Sequence, residues 1–409
     1  MKIAIIGGGA CGLFCAARLS NLINDKNISI DIIEKDKKVG RKILLTGNGK
    51  GNISNQNVSV DKYNDSFVLK ALSSFSYEDL VNYFSSRGVL LTIDNEGRIY
   101  PRSETSNTIL DTLRRDYSNF VNEYIETNVT KLEFKNKQIR ILGTNFDKLY
   151  DYVVLATGSK ASLNNVSNKY NLDLISSTGH TVSKLYPSLS PVFVKENIAS
   201  LRGIRTKAKV QMTLDKTYET EGEVLFKDDS LSGICIFEMS TFYARNKITS
   251  NCKNVKIQLD LLKDYDSDSL LSLLKDMRTN LGKDEASLLL NGFFPKMLAK
   301  YILDATKINL KNRLIKDLTD QELLIIVQNI KNQMFNVDEN KEASNCQVMV
   351  GGVNLDEVDA NTFESKIHPN LYFGGEVLNI DGQCGGYNLH FAFASGNLIA
   401  ESILRKLGE

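Results

Sequence analysis

Apolar positions along the chain change period several times, and each change marks an element. Residues 2–6 (KIAII) form a short β-branched run that predicts a buried parallel strand. Leu13, Ala16, Ala17 and residues 19–23 then follow helical spacing, and residues 29–34 (SIDIIE) predict a second strand. Strand, turn, helix and strand make a βαβ unit, so a parallel sheet is expected to start at residue 2. Residues 77–84 and 108–117 read as amphipathic helices, and 129–134 with 138–142 as a strand pair turning near Asn136 and Lys137. Residues 152–156 (YVVLA) predict a buried strand that runs into Thr157-Gly158.

Between residues 191 and 262 the pattern becomes one of alternating strands, at 207–213, 221–226 and 255–261. From 267 to 332 it turns helical, with Thr319 and Glu322 set as a capping box before residues 323–326 and Pro295 opening another helix. Strands return at 345–350 and 371–373, and an apolar helix at 387–404 follows. The expected architecture is α/β: a discontinuous Rossmann-type domain (1–190 and 346–409), a β-rich insert (191–262 and 333–345) and a helical insert (263–332). The inserts are expected to form the far wall of a pocket.

Composition narrows the class without naming it. The 409 residues carry 50 Lys+Arg against 49 Asp+Glu and are 42% hydrophobic, which is globular and leaves no cationic excess for nucleic acid or an anionic membrane. Six cysteines without regular spacing make no disulfide framework, so a cytoplasmic protein is expected. No uncharged apolar run reaches the ~18 residues of a membrane span. The apolar start is not read as a secretory signal, because Gly7, Gly8, Gly9 and Gly12 interrupt it.

Chemistry is concentrated in two glycine-rich turns. Gly7-x-Gly9-x-x-Gly12 lies between the first strand and helix, and Glu34 follows 22 residues after Gly12. In a dinucleotide site Gly7 permits the turn, Gly9 admits the pyrophosphate, Gly12 lets helix and strand close up, and the acid accepts ribose hydroxyls. Orphan N–H groups at the helix start favour phosphate charge. A bare glycine-rich βα turn is the plainer alternative, and the register of all four parts argues against it. Gly374-Gly375-Glu376, Asp381-Gly382 and Gly385-Gly386-Tyr387-Asn388 supply a second turn before a second helix. FAD is long enough to reach both. The cationic pair Arg41-Lys42 and the Thr157-Gly158 turn add to this reading.

These segments carry a family resemblance. IIGGGACGLFCAARL (5–19), GRKILLTGNGKGNISN (40–55), GHTVSKLYPSLSPV (179–192) and GGVNLDEVDANTFESKIHPNLYFGGEVLNIDGQCGGYNLHFAFASG (351–396) resemble the BaiN-type flavoproteins, also known as aminoacetone-oxidase-like or NAD(P)/FAD-dependent oxidoreductases. The resemblance implies a glutathione-reductase-type FAD-binding Rossmann domain with a β-rich and a helical insert. It implies FAD contacts at Gly7, Gly9, Ala10, Cys11, Gly12, Glu34, Lys35, Arg41, Lys42, Asn48, Gly49 and Asn52. Further contacts are implied at Val129 (through its backbone), Thr157, Gly158, Gly375, Glu376, Asp381, Gly386, Asn388 and Leu389. Two segments depart from the family. Its usual Gly-Gly-Gly-Arg-Cys-Asn is Gly47-Asn48-Gly49-Lys50-Gly51-Asn52 here, so the cysteine is replaced by Gly51. Its usual Gly-x-Ser-Tyr-Pro after Ala156-Thr157-Gly158 is Ser159-Lys160-Ala161-Ser162-Leu163.

Catalytic candidates are few: His390 as a proton donor one turn into the last helix, Tyr387 beside it, and Cys384 in the turn, with Tyr186 a further possibility. For His390 a packing or capping role is the favoured reading. Cys11 and Cys15 read as small core residues, and His180, His368 and His390 are too dispersed for a metal site, so no metal is expected. The leading expectation is an FAD-dependent oxidoreductase that takes electrons from NADH or NADPH and passes hydride to a small unsaturated organic acceptor. An oxidase of a small amine or amino-ketone, producing peroxide, is the alternative, favoured by the lack of a second G-x-G-x-x-G. A non-catalytic FAD-binding or RNA-modification-associated protein is the third. A small-molecule substrate is expected, with neither nucleic acid nor membrane as partner. No feature bears on oligomeric state.

Overall fold

The computed structural model describes every residue except 24–26, 118–119, 136, 162–171, 251, 345 and 409. Asn136 of the expected turn, Ser162 and Leu163 of the loop after Gly158, and residue 345 of the expected strand lie outside the described residues. The chain divides into two compact units, Met1–Tyr186 with Gln347–Glu409, and Pro187–Cys346.

The first unit is organised by a parallel sheet. β1 (Lys2–Ile6) pairs with β2 (Ser29–Ile33) on one side and with Tyr152–Leu155 on the other; Val121–Tyr124 and Leu371–Phe373 complete the two edges. The chain leaves β1 in one direction to β2 and later returns to its other flank. That reversal makes the carboxyl end of β1 a topological switch point, where open α/β sheets bind ligands. Ile3, Ala4, Ile5 and Ile6 are all buried, as the continuous apolar run predicts. α1 (Ala10–Leu22) follows, and most of its side chains are buried because the sheet covers one face and the C-terminal helix, Tyr387–Leu407, covers another.

The two helices approach closely because the C-terminal one presents Gly396 to α1. A Cβ there would lie 2.6 Å from the Cys11 carbonyl oxygen and 3.1 Å from the Cys15 nitrogen. The C-terminal helix ends at Gly408 in the left-handed region, with Arg405 and Lys406 complementing the dipole of its last turn.

The strand pair expected after residue 129 is a three-stranded meander, Val129–Lys135, Gln138–Gly143 and Phe146–Tyr150. Its third strand and the edge strand Val121–Tyr124 are additions to the sequence reading. Both are short and half polar, so neither shows the apolar run that marks a buried strand.

The second unit holds a six-stranded antiparallel sheet ordered Val192–Phe193, Ser230–Ser232, Thr217–Phe226, Arg205–Thr213, Lys256–Asp260, Gln333–Asn336. Helices Ser267–Asn280, Lys296–Ala305 and Asp320–Lys331 share one hydrophobic core with it. The Thr319–Glu322 capping box forms as expected, and Pro295 is the N-cap of its helix. One reading is corrected: residues 234–249, inside the stretch expected to be strands, are the helix Ile234–Thr249. Its sequence, ICIFEMSTFYARNKIT, is rich in β-branched and aromatic residues, and packing overrides that local preference.

Gly396→Leu would drive a side chain into the α1 backbone. We expect a loss of about 1–3 kcal/mol or more of stability, the range of overpacked cores, read as a lower urea midpoint.

Candidate cofactor site

The first glycine turn is built at the carboxyl end of β1. The Gly7 N–H donates to the Ile33 carbonyl at 2.9 Å, and Gly7 has φ +107°. A Cβ on Gly7 would run into the Ala156 backbone and reach Thr157 Cα at 3.0 Å, so only glycine allows the two loops this contact. The Gly8 N–H donates to Glu34 Oε2 at 2.8 Å, and the Asp36 N–H to Oε1 at 2.9 Å. Burial holds the Glu34 carboxyl above the usual carboxylate range, against the lowering pull of those N–H bonds. Gly9 is the N-cap of α1 and offers no side-chain cap; the first turn holds no acid, and a Cβ on Gly9 would meet nothing within 4 Å. Open space at a bare helix N-terminus suits a phosphate group.

The second turn packs directly on the first helix. After Leu371–Phe373 come Gly374 and Gly375, and a Cβ on Gly375 would lie 3.1 Å from Cys11 Cβ. The Gly375 N–H donates to Ser395 Oγ at 2.9 Å. Burial pushes the Cys11 thiol up to about 12 and raises Cys15 as well. Both are protonated packing groups, not activated thiols. Lys42 forms an ion pair with Glu376, whose other oxygen accepts the Met349 N–H at 3.2 Å. Arg41 pairs with Asp36 at 2.9 Å.

Asp381 is set by neighbours that sequence reasoning missed. Its N–H donates to Asn64 Oδ1 at 2.8 Å and its carbonyl accepts the Asn64 N–H at 3.1 Å. Tyr63 bridges Gly382, and its hydroxyl donates to the Tyr387 carbonyl at 2.9 Å. The Asn388 carboxamide closes its own turn, accepting from the Gly382 N–H and donating to the Gly382 carbonyl, each at 2.8 Å. Gly386 begins the C-terminal helix with φ +102°, and a Cβ there would run into the Ser54 carbonyl and lie 2.8 Å from Asn52 Oδ1. That Asn52 oxygen is buried and has no hydrogen-bond partner. A buried acceptor left unpaired costs about 1–3 kcal/mol, so a donor on a bound group would be used here.

The structure therefore brings Gly7 beside Thr157, Cys11 beside Gly375, Lys42 beside Glu376, and Asn52 beside Gly386. The remaining expected contacts lie around these points. Ala10 and Gly12 are in the first turn of α1, and Lys35 follows Glu34, half-buried. Asn48 (φ +54°) and Gly49 are left-handed in the Ile43–Gly49 segment. Val129 opens its strand, and Gly158 has open space where a Cβ would stand. Leu389 is half-buried in the first helical turn, and Cys384 is half-buried before Gly385. Ser54, Asn55, Tyr63, Asn64 and Ser395 were not foreseen; only Ser54 and Asn55, directly after the glycine-rich 47–52 loop, adjoin a sequence signal.

His390 is fully buried. Its Nδ1 lies 2.9 Å from Ser54 Oγ and its Nε2 lies 3.2 Å from the Phe75 carbonyl oxygen. Burial pushes its pKa down to about 4, against the raising effects of that carbonyl and of Asp79 and Glu78. His180 and His368 lie together elsewhere, rings 6.2 Å apart, with His368 stacked on Phe134 at 3.6 Å. Among the described residues no group of three His, Cys, Asp or Glu could hold a metal ion.

The residues present fit FAD: an uncapped helix N-terminus with open space, a carboxylate beside it after the second strand, and a second helix N-terminus beside a buried acceptor with no donor. The chain belongs to the HI0933-like protein Rossmann domain family, whose model matches residues 1–402. It is an FAD-dependent oxidoreductase of that class. Over 97% of both chains it is 32% identical to the 3-dehydro-bile acid delta(4,6)-reductase of Clostridium scindens. The ribosomal RNA dihydrouridine synthases of Haemophilus influenzae and Escherichia coli are 24% and 23% identical, over 98% of this chain and 98% and 97% of theirs. The family expected from the motifs is thus the family found.

Two outcomes follow from this geometry. Glu34→Ala removes the carboxylate beside the first glycine turn and its brace on Gly8, and FAD affinity should fall at least about tenfold (about 1.4 kcal/mol, one hydrogen bond to a charged group) when free FAD is titrated by fluorescence. His390 has a folded pKa below its unfolded value. The stability from keeping it neutral is therefore whole above about pH 6.5 and is lost as pH falls toward 4, by about 3 kcal/mol at most. His390→Gln should flatten that part of a plot of unfolding free energy against pH.

Proposed function

We propose that this oxidoreductase is a reductase of small organic molecules with a carbon–carbon double bond conjugated to a carbonyl, using NADH or NADPH as donor. The balance is one hydride from the dihydronicotinamide to one alkene carbon and one proton to the other, giving NAD(P)+ and a saturated bond. FAD, when bound, accepts the hydride and passes it on. The observation that carries the reading is the 32% identity, along nearly the whole chain, to a reductase of a 3-dehydro delta(4,6) compound. The more distant relatives are named for forming dihydrouridine, also a double-bond reduction.

In this reading the α1 N-terminus holds the pyrophosphate and Glu34 the adenosine ribose. Asp381 and the Lys42–Glu376 pair serve the ribityl segment. The N–H groups at Tyr387, Asn388 and Leu389 face the pyrimidine edge of the ring, where negative charge develops on reduction. Gly158, Asn48, Gly49, Val129, Lys35 and Arg41 complete the cofactor's surroundings.

A small substrate is favoured over RNA by the charge on the second unit's sheet. Arg205 pairs with Glu223, Lys209 with Glu219 at 2.9 Å, and Lys263 with Glu221 at 3.1 Å. Cations matched to carboxylates release few counterions from a polyanion. A cytoplasmic location is part of the proposal; none of the six cysteines is in a disulfide, and no described helix is long and apolar enough to cross a membrane. The oxidase reading draws on one observation: the sequence has a single G-x-G-x-x-G, and the described residues form one wholly parallel sheet of more than two strands.

Mixing the FAD-loaded protein anaerobically with NADH, and separately with NADPH, tests the donor. Bleaching of the flavin absorbance within seconds by either one is expected, with recovery on adding an enone. An unbleached flavin that small amines reduce, with peroxide appearing in air, would replace this reading with the oxidase.

A further inference from the structure

We propose that the buried Ser54–His390 hydrogen bond is a positioning device: it holds the Asn52 carboxamide oxygen against the N-terminus of the C-terminal helix, with His390 as a neutral strut. The inference rests on the reading of this corner as part of the flavin site, and it assigns His390 a role other than proton donation.

Residues 52–55 template the start of the helix at three points. The Asn55 Nδ2 donates to the Gly385 carbonyl at 3.1 Å. The Ser54 carbonyl sits against Gly386 Cα, where no Cβ would fit. Ser54 Oγ lies 2.9 Å from His390 Nδ1. Ile53, between Asn52 and Ser54, is fully buried in the core and its N–H donates to the Ile99 carbonyl at 2.9 Å. Asn52 stands two residues before Ser54, and its Oδ1 and the Ser54 carbonyl both lie against the position a Cβ on Gly386 would take. A shift of Ser54 is therefore carried to Asn52.

The hydrogen-bond directions are forced. A carbonyl only accepts, so His390 Nε2 carries the proton given to Phe75; in the neutral ring that burial favours, Nδ1 then accepts from the Ser54 hydroxyl. Both ring nitrogens are occupied by protein groups and the side chain has 0% exposure. Neither ring nitrogen is open to a substrate. Burial favours this neutral form, while Asp79 and Glu78 on one side favour the charged one. What His390 does supply is a fixed length between the Asn52 segment and the helix, beside a buried acceptor that lacks a donor.

A double-mutant cycle on FAD affinity separates positioning from general stability. Asn52→Ala should weaken FAD binding about tenfold, about one hydrogen bond's worth. Ser54→Ala, which touches no ligand in this reading, should weaken it by a similar factor and shift the visible absorbance of bound flavin. The double variant should bind no worse than Asn52→Ala alone. Multiplying effects, or unchanged affinity in Ser54→Ala or Asn52→Ala, would overturn the proposal. His390→Gln serves as the second variant, should Ser54→Ala not fold: its affinity should fall while the pH dependence of kcat keeps its shape, and loss of one limb of that profile would make His390 a proton donor after all. Failure of the unaltered protein to take up FAD would instead defeat the flavin reading on which this role depends.

Discussion

Close packing of α1 against the C-terminal helix is the constraint on which the candidate site depends. The two helices come from opposite ends of a 409-residue chain, and each begins at a glycine turn. Gly396 lets their backbones approach, Cys11 is small enough to sit against Gly374 and Gly375, and Ser395 ties Gly375 to the helix. The close fit leaves no room for a longer side chain at this crossing. It sets two helix N-termini in one unit, and two such termini suit a ligand with a phosphate at one end and a reducible ring at the other.

Around that crossing the polar groups divide into those spent on the fold and those left for a ligand. The Asn388 carboxamide, Asn64, Tyr63 and His390 all bond to protein partners and hold turns in place. Arg41 is paired with Asp36 and Lys42 with Glu376, so each cation is held in place by a neighbouring carboxylate. Among the groups without a side-chain partner are the start of each helix and the Asn52 oxygen. A side chain's presence in a conserved-looking motif does not say which of these two groups it belongs to; its hydrogen bonds do.

The second unit obeys a different logic. Its sheet is antiparallel, with alternating buried and exposed positions, and the exposed side pairs acids with bases across neighbouring strands. Such a surface carries little unmatched charge.

Much of this was legible in the chain itself, because local physics dictates it. A β-branched run of residues 2–6, a turn that only glycine can make at Gly7, and an acid after the next strand require nothing distant to be recognised. The C-terminal helix and the Thr319–Glu322 capping box are likewise local. Tertiary structure decided the rest. The helix at Ile234–Thr249 forms against its own β-rich preference because packing buries its apolar side, and the polar edge strand Val121–Tyr124 exists only because β2 offers it a partner. For His390 the sequence favoured packing or capping over proton donation, but its partners could not be read from a histidine one turn into a helix. Ser54 and Phe75, more than 300 residues away in sequence, settle its tautomer, since hydrogen-bond partners so remote are set by the fold and by nothing local.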